Sequence, residues 1–334
     1  MIWFTWRQFR TRAAIAVVAL AACGVALLIT GRTLAQMYAG VASCQSDCGA
    51  ALSQFGEQFR RDDLFLVYGL SSLLMYLVPA LVGAFWGAPL IAHELETGTH
   101  RLAWNQTVTR SRWLASKLAV VGGTAAALTG VLGWAVSTWA RHIDTAVFDR
   151  IEAPNFGARG IVPIGYAVFA FTLGVTCGML IRRTVPAMAI TLAGYAAVVL
   201  AMPLWLRAHL IPALHETRPL DLENLSSMIT NTGEGGGTME LTGPGMPHAW
   251  NVSNLTITPA GDEFHGPPDP VACGEDAAAN ACDAWLTSLN LREDIIYHPA
   301  SHFWALQAAE TGILLGLAAL LVMFSFWWVR RRLT

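Results

Sequence analysis

Apolar residues in this chain are gathered into six long runs, approximately Ala13–Ile29, Leu64–Ile91, Leu114–Trp139, Ile161–Ile181, Val185–Leu206 and Phe303–Val329. A bilayer core of about 30 Å takes about 20 apolar residues of helix, so each run is long enough to cross a membrane. None carries the two-residue alternation of a transmembrane barrel strand. The pattern predicts an all-α membrane protein of six transmembrane helices. Ahead of the first run, Trp3, Phe4, Trp6 and Phe9 interleave with Arg7, Arg10 and Arg12. That mixture predicts a short helix lying in the membrane interface. Leu20-Ala21-Ala22-Cys23 imitates a lipoprotein signal. The apolar run continues through Gly24–Ile29, however, and five more follow, which favours a retained span.

The polar intervals are unequal. Thr33–Asp63 and Ala140–Gly160 are loops, whereas Arg207–His302 is long enough to fold as a small mixed domain. Glycine and proline at Gly233, Gly235–Gly237, Gly243-Pro244-Gly245 and Gly266-Pro267-Pro268 predict turns. Within this interval Ala249–Thr258 reads as a strand and Glu275–Leu289 as a helix. The expected organisation is 1–206, with five spans; 207–302, a domain outside the membrane; and 303–334, the last span and a basic tail. On the other face of the membrane the one substantial connection is 92–113.

Charge orients this arrangement. Only 13% of residues are charged against 54% apolar, and mean hydropathy is +0.46. Arg7, Arg10, Arg12, Arg101, Arg110, Arg112, Lys117, Arg182, Arg183 and Arg330–Arg332 fall on one face, with Glu94 and Glu96. Almost all other acids fall on the opposite face. By the positive-inside rule both termini are cytoplasmic and 207–302 is extracellular. Cys23 and Cys177 lie within spans; Cys44, Cys48, Cys273 and Cys282 lie in outer loops, where oxidation is possible. Four cysteines allow three pairings, and Cys44–Cys48 with Cys273–Cys282, which closes the shortest loops, is preferred.

The chemistry of the chain is largely negative. Lys117 is its single lysine and follows no glycine-rich turn, so no phosphate-binding loop for ATP is present. His93-Glu94 opens like a zinc-protease motif, but Thr97 stands where the second histidine belongs. No metal ligands and no catalytic set are expected. Gln307 and Glu310 lie one turn apart near the outer end of the last run. Thr311–Val329 already suffices to cross below Glu310, which reads as a structural carboxylate at the outer interface rather than a proton relay. Small residues four apart, Gly122-Ala126-Gly130, Gly174-Gly178 and Gly312-Gly316, predict close helix crossings within the chain.

The most informative segment runs Gly87-Ala88-Pro89-Leu90-Ile91-Ala92-His93-Glu94-Leu95-Glu96-Thr97-Gly98-Thr99, then Arg101-Leu102-Ala103-Trp104, Thr109-Arg110-Ser111-Arg112 and Lys117. It resembles the loop between the second and third spans of ABC exporter permeases of the type-2 (type V exporter) family, especially the short actinobacterial members. There the pattern is Ala-x-Glu-x-Glu-x-Gly-Thr, a short helix, Ser/Thr-Arg, and a lysine opening the third span. Ala92, Glu94, Glu96, Gly98, Thr99, Arg110 and Lys117 match it.

The resemblance implies a permease in the bacterial plasma membrane that moves an amphiphilic, lipid-like, peptide or drug-like substrate outwards. It implies two copies of a separate ATPase subunit, which holds the ATP and Mg, and a second permease, identical or homologous. No cofactor is implied in this chain. The residues implied to couple to the ATPase are Glu94, Glu96, Gly98, Thr99, Arg101, Leu102 and Trp104. Glu94 and Glu96 could equally serve only to neutralise Arg7, Arg110 and Arg112. The implied route lies between spans one, two and five, offering Tyr68, Ser71, Ser72, Tyr76, Thr191 and Tyr195. A sensor or scaffold using 207–302 and a membrane-embedded enzyme are the alternatives from other classes; copurification with an ATPase separates them from a permease.

Overall fold

A computed structural model describes residues 2–45, 48–98, 109–231, 238–266, 269, 271–273, 278 and 280–332. Six helices are long and apolar enough to cross a membrane: span one (Phe9–Ala42), span two (Leu64–Glu96), span three (Arg110–Ala140), span four (Val162–Ile181), span five (Thr184–His209) and span six (Ala300–Arg331). The chain divides into two compact units, residues 1–210 with 304–334, and 211–303.

Span one differs from expectation. It is part of one uninterrupted helix, Ile2–Ala42, and no break separates the aromatic and basic N-terminal residues from the membrane run. Nothing between Arg12 and Ala13 caps or breaks a helix, and propagating an existing helix costs less than nucleating a second one.

Span four is the axis of the membrane unit. Its helix buries Tyr166, Phe169, Phe171, Val175 and Met179 among others. Span two meets it through a π-helical segment, Val82–Gly87. A Cβ on Gly87 would come within 2.5 Å of the Phe171 carbonyl oxygen, and one on Gly178 would strike that of Ala88. Only glycine permits backbones this close. Gly122 and Gly130 of span three likewise face Phe171 and Ile164 of span four, as the four-residue spacing predicts. Gly312 and Gly316 have nothing within 4 Å of their Cβ positions and serve no internal crossing.

Two apolar clusters mark the ends of this unit. At the end bearing the 92–113 loop, Phe9, Ile91, Trp113, Leu114, Phe171 and Val329 pack together. At the opposite end Leu34, Phe55, Phe59, Tyr68, Trp139 and Ile143 do so, Phe55 and Phe59 coming from the amphipathic helix Gly49–Arg61 between spans one and two. Cys44 and Cys48 are bridged just before that helix.

Among the described residues the second unit holds five strands. Strands β1 (Leu214–Pro219), β5 (Arg292–Pro299) and β4 (Ala249–Ile257) form an antiparallel sheet with β5 central. Strands β2 (Ser227–Asn231) and β3 (Thr238–Thr242) pair separately. Met239, Leu241, Leu286 and Leu291 form its core, with Cys273 and Cys282, bridged to each other, against them. Within the expected helix, Ala281–Ser288 is helical and 275–277 and 279 lie outside the described residues.

Candidate functional site

Span two ends in the helix Ala88–Glu96, whose last turn carries the two loop carboxylates. Glu94 forms an ion pair with Lys117 at the start of span three. The Lys117 ammonium also donates to the Leu90 carbonyl at 3.3 Å and sits over the Trp113 ring at 4.9 Å. Lys117 is buried, so its charge requires this partner: an unpaired buried ammonium would cost several kcal/mol, roughly 3–5. Glu96 instead reaches the start of span five. Its Oε2 accepts from the Thr184 backbone N–H at 3.1 Å and the Thr184 hydroxyl at 2.8 Å. The first N–H groups of a helix lack partners within it, and a carboxylate there both caps them and meets the positive end of the helix dipole.

The two glutamates thereby tie the end of span two to spans three and five. Gly98 follows in a left-handed conformation, φ +72°, that turns the chain out of the helix. On the far side of the loop, Thr109 caps span three by accepting from the Arg112 N–H at 3.3 Å. Thr99, Arg101, Leu102 and Trp104 lie outside the described residues.

The six route residues separate into two groups. Tyr68, Ser72 and Tyr76 line a groove of about 570 Å³ whose other wall includes Pro154, Val199, Pro203 and Leu204. Ser71, Thr191 and Tyr195 do not line it. The Ser71 hydroxyl donates to the Tyr68 carbonyl at 2.8 Å and that of Thr191 to Ala187 at 2.7 Å, each bonding its own helix. Tyr195 donates to the Tyr76 carbonyl at 2.7 Å and so pins span five to span two.

Behind the groove lie two buried ion pairs that sequence reasoning did not assemble. Asp144 accepts from Arg159 Nε at 2.8 Å and from the Tyr68 hydroxyl at 2.7 Å, while Arg159 Nη1 donates to Ser72 at 3.3 Å. Glu310 accepts from Arg207 Nε and from the Tyr166 hydroxyl, each at 2.8 Å. Glu310, expected to be a structural carboxylate, is fully buried within the chain, and so is Arg207. Gln307, one turn earlier, accepts from the backbone N–H groups of Ile161 at 2.9 Å and Val162 at 3.0 Å, capping span four. An acid inside a span was visible in the sequence. Its partner was not, because Arg207 is 103 residues away in the chain.

Among the described residues no group of three or more His, Cys, Asp or Glu side chains is placed to hold a metal ion. The described residues place a span-two end tied to spans three and five at one end of the unit, and a tyrosine-lined groove backed by fixed charges at the other. Comparison with known proteins bears on what such an arrangement serves. The family model for "ABC-2 membrane transporter related" matches residues 17–207, more than half of the chain. No curated protein and no solved structure matches. With its six membrane-crossing helices, the chain belongs to the ABC-2 membrane transporter related family and is a multi-pass membrane permease of an ABC transporter.

Proposed function

We propose that this permease couples ATP hydrolysis in a separate ATPase subunit to outward movement of an amphiphilic substrate, with the 92–113 loop as the docking element. The observation that carries this reading is the pair of ties made by Glu94 and Glu96, to Lys117 and Thr184. Because the end of span two is bound to spans three and five, a push delivered there through the loop moves the three spans together. The basic residues on this side make it cytoplasmic under the positive-inside rule, where ATP is available. The groove beside Tyr68, Ser72 and Tyr76 is the candidate substrate surface, apolar for a hydrocarbon body and polar at a few points. Two ATPases, which bind the ATP and Mg, and a second permease complete the transporter in this reading.

The experiment is reconstitution of the permease with its ATPase in lipid vesicles. Deletion of residues 99–105, which leaves both ties intact, is expected to abolish substrate-stimulated hydrolysis while the permease remains folded. Normal transport by that variant would remove the loop from the mechanism.

A further inference from the structure

In the half of the membrane remote from the 92–113 loop, spans one and three touch where Gly31 and Leu34 meet Trp139, and beside that contact they leave an apolar cleft of about 570 Å³. Gly24, Leu27, Leu28 and Ala35 of span one form one wall and Trp134 and Ala135 of span three the other. Arg32 and Arg141 close its end, and both are exposed. Neither makes an ion pair or side-chain hydrogen bond with the described residues. Arg12 and Arg32 are about 20 residues apart on one continuous helix, about 30 Å, which is the thickness of the hydrocarbon core. With Arg12 at one membrane surface, Arg32 therefore stands at the headgroup level of the other.

His142 shares this end of the cleft and stacks on Tyr38 with centroids 4.6 Å apart. Burial, and then the Arg141 charge, hold its pKa below the ordinary histidine range, so the positive charge here is that of the two guanidiniums. Trp139 lines the cleft and is more than nine-tenths buried, yet its indole N–H has no acceptor among the described residues. A buried donor without an acceptor costs about 1–3 kcal/mol.

We propose that this cleft holds an anionic phospholipid of the leaflet opposite the 92–113 loop. An acyl chain lies between spans one and three, and the phosphate sits between Arg32 and Arg141. Each feature answers one part of that molecule. The apolar walls suit the chain, and the arginine pair suits a phosphate because guanidinium forks match its oxygens. The site lies apart from the Tyr68–Tyr76 groove and depends on neither ATPase nor substrate. Its occupant would fill the space that span one leaves against the bundle.

The test uses the full chain in nanodiscs of equal phosphatidylglycerol and phosphatidylcholine, with retained lipid counted by native mass spectrometry after transfer to detergent. Wild type is expected to retain phosphatidylglycerol over phosphatidylcholine. Arg32→Gln with Arg141→Gln should reduce that retention on the order of tenfold. Gly24→Leu, which projects into the cleft where a Cβ meets nothing within 4 Å, should reduce it with both arginines in place. Arg61→Gln, a loss of one positive charge on the same side outside the cleft, should leave it unchanged. Equal retention of the two lipids by wild type, full retention by either cleft variant, or equal loss in Arg61→Gln would overturn the proposal. A dimer that excludes lipid and dissociates in Gly24→Leu would also overturn it, giving the cleft to a second copy.

Discussion

Spans four and one are both uninterrupted apolar helices, yet 72% of the apolar window of span four is buried within the chain and only 6% of that of span one. Hydropathy does not explain the contrast, because lipid tails and aliphatic side chains are nearly equivalent surroundings. Backbone approach does. Span four places Gly174 and Gly178 against the carbonyls of Gly83 and Ala88, and its Tyr166 reaches the buried Glu310 of span six. Span one also has glycines, but the Cβ positions of Gly24 and Gly40 meet nothing and that of Gly31 meets only the Trp139 side chain, at 3.2 Å, and no backbone. Small residues therefore permit a close crossing without specifying one. The difference separates a scaffold from an element left open to lipid or to another subunit.

The contrast can be broken most severely at Glu310. Glu310→Ala leaves Arg207 charged and buried beside span four, and is expected to destabilise the membrane unit by about 3–5 kcal/mol. Arg207→Met with Glu310→Leu should recover most of that loss, since it removes both charges and keeps the volume. Thermal unfolding in matched detergent reads both variants.

Next in size is Gly174→Val, whose side chain meets the Gly83 carbonyl and the Ala88 N–H, groups of the opposing backbone that cannot rotate away. A cost of about 1–3 kcal/mol is expected, seen as a lower melting temperature, whereas Gly24→Val on span one should change the monomer by less than about 0.5 kcal/mol. Similar melting temperatures for the two variants would erase the distinction between the spans.

A smaller effect sharpens the role of the loop. Glu96→Ala removes the cap from span five and is expected to cost about 1 kcal/mol of stability. Because the same change loosens one tie of the loop, substrate-stimulated ATPase activity should fall by more than the folded fraction does. A parallel decline of the two would reduce Glu96 to a helix cap.

The smallest effect lies in the second unit. Asp294 accepts from the Thr217 hydroxyl at 2.7 Å and pairs with His215 at 2.8 Å. The Thr217 hydrogen bond chiefly, and then His215, hold its pKa below the ordinary aspartate range. With the folded pKa below the unfolded one, its contribution is complete above the ordinary aspartate range and is lost as pH falls through the folded value. Asp294→Asn should flatten the acid limb of the stability profile of this unit and lower its stability at pH 7 slightly, the site being close to the surface. An unchanged acid limb would show that Thr217 and His215 do not matter to folding.

Much of the architecture was readable without a structure. Apolar runs of sufficient length can satisfy their backbone hydrogen bonds in lipid only as helices, so all six spans followed from composition and length. The motif Ala92-x-Glu94-x-Glu96-x-Gly98-Thr99 was likewise readable, being local in the chain and unlike a lipid-facing sequence. Helix ends of spans two to six shifted by a few residues, because polar residues such as Arg110 and Thr184 can extend a helix beyond the apolar boundary, whereas span one runs on from the expected Ile29 to Ala42, into the expected loop. The join between the N-terminal segment and span one was misjudged because a change of polarity is not in itself a break in a helix.

What only the tertiary structure decided is which residues meet. Glu94 and Glu96 are two positions apart on one helix, yet one reaches span three and the other span five. Tyr68 and Thr191 have similar polar character, yet one lines a groove beside a buried ion pair and the other bonds its own helix. Arg159 and Arg207 read as loop and span-end charges, but both are enclosed as partners of Asp144 and Glu310. Insertion into lipid depends on the summed transfer energy of a segment, a local property that survives in one dimension. Partner choice depends on the rotation and depth of each helix against its neighbours, and those are set by close contacts among residues far apart in the chain.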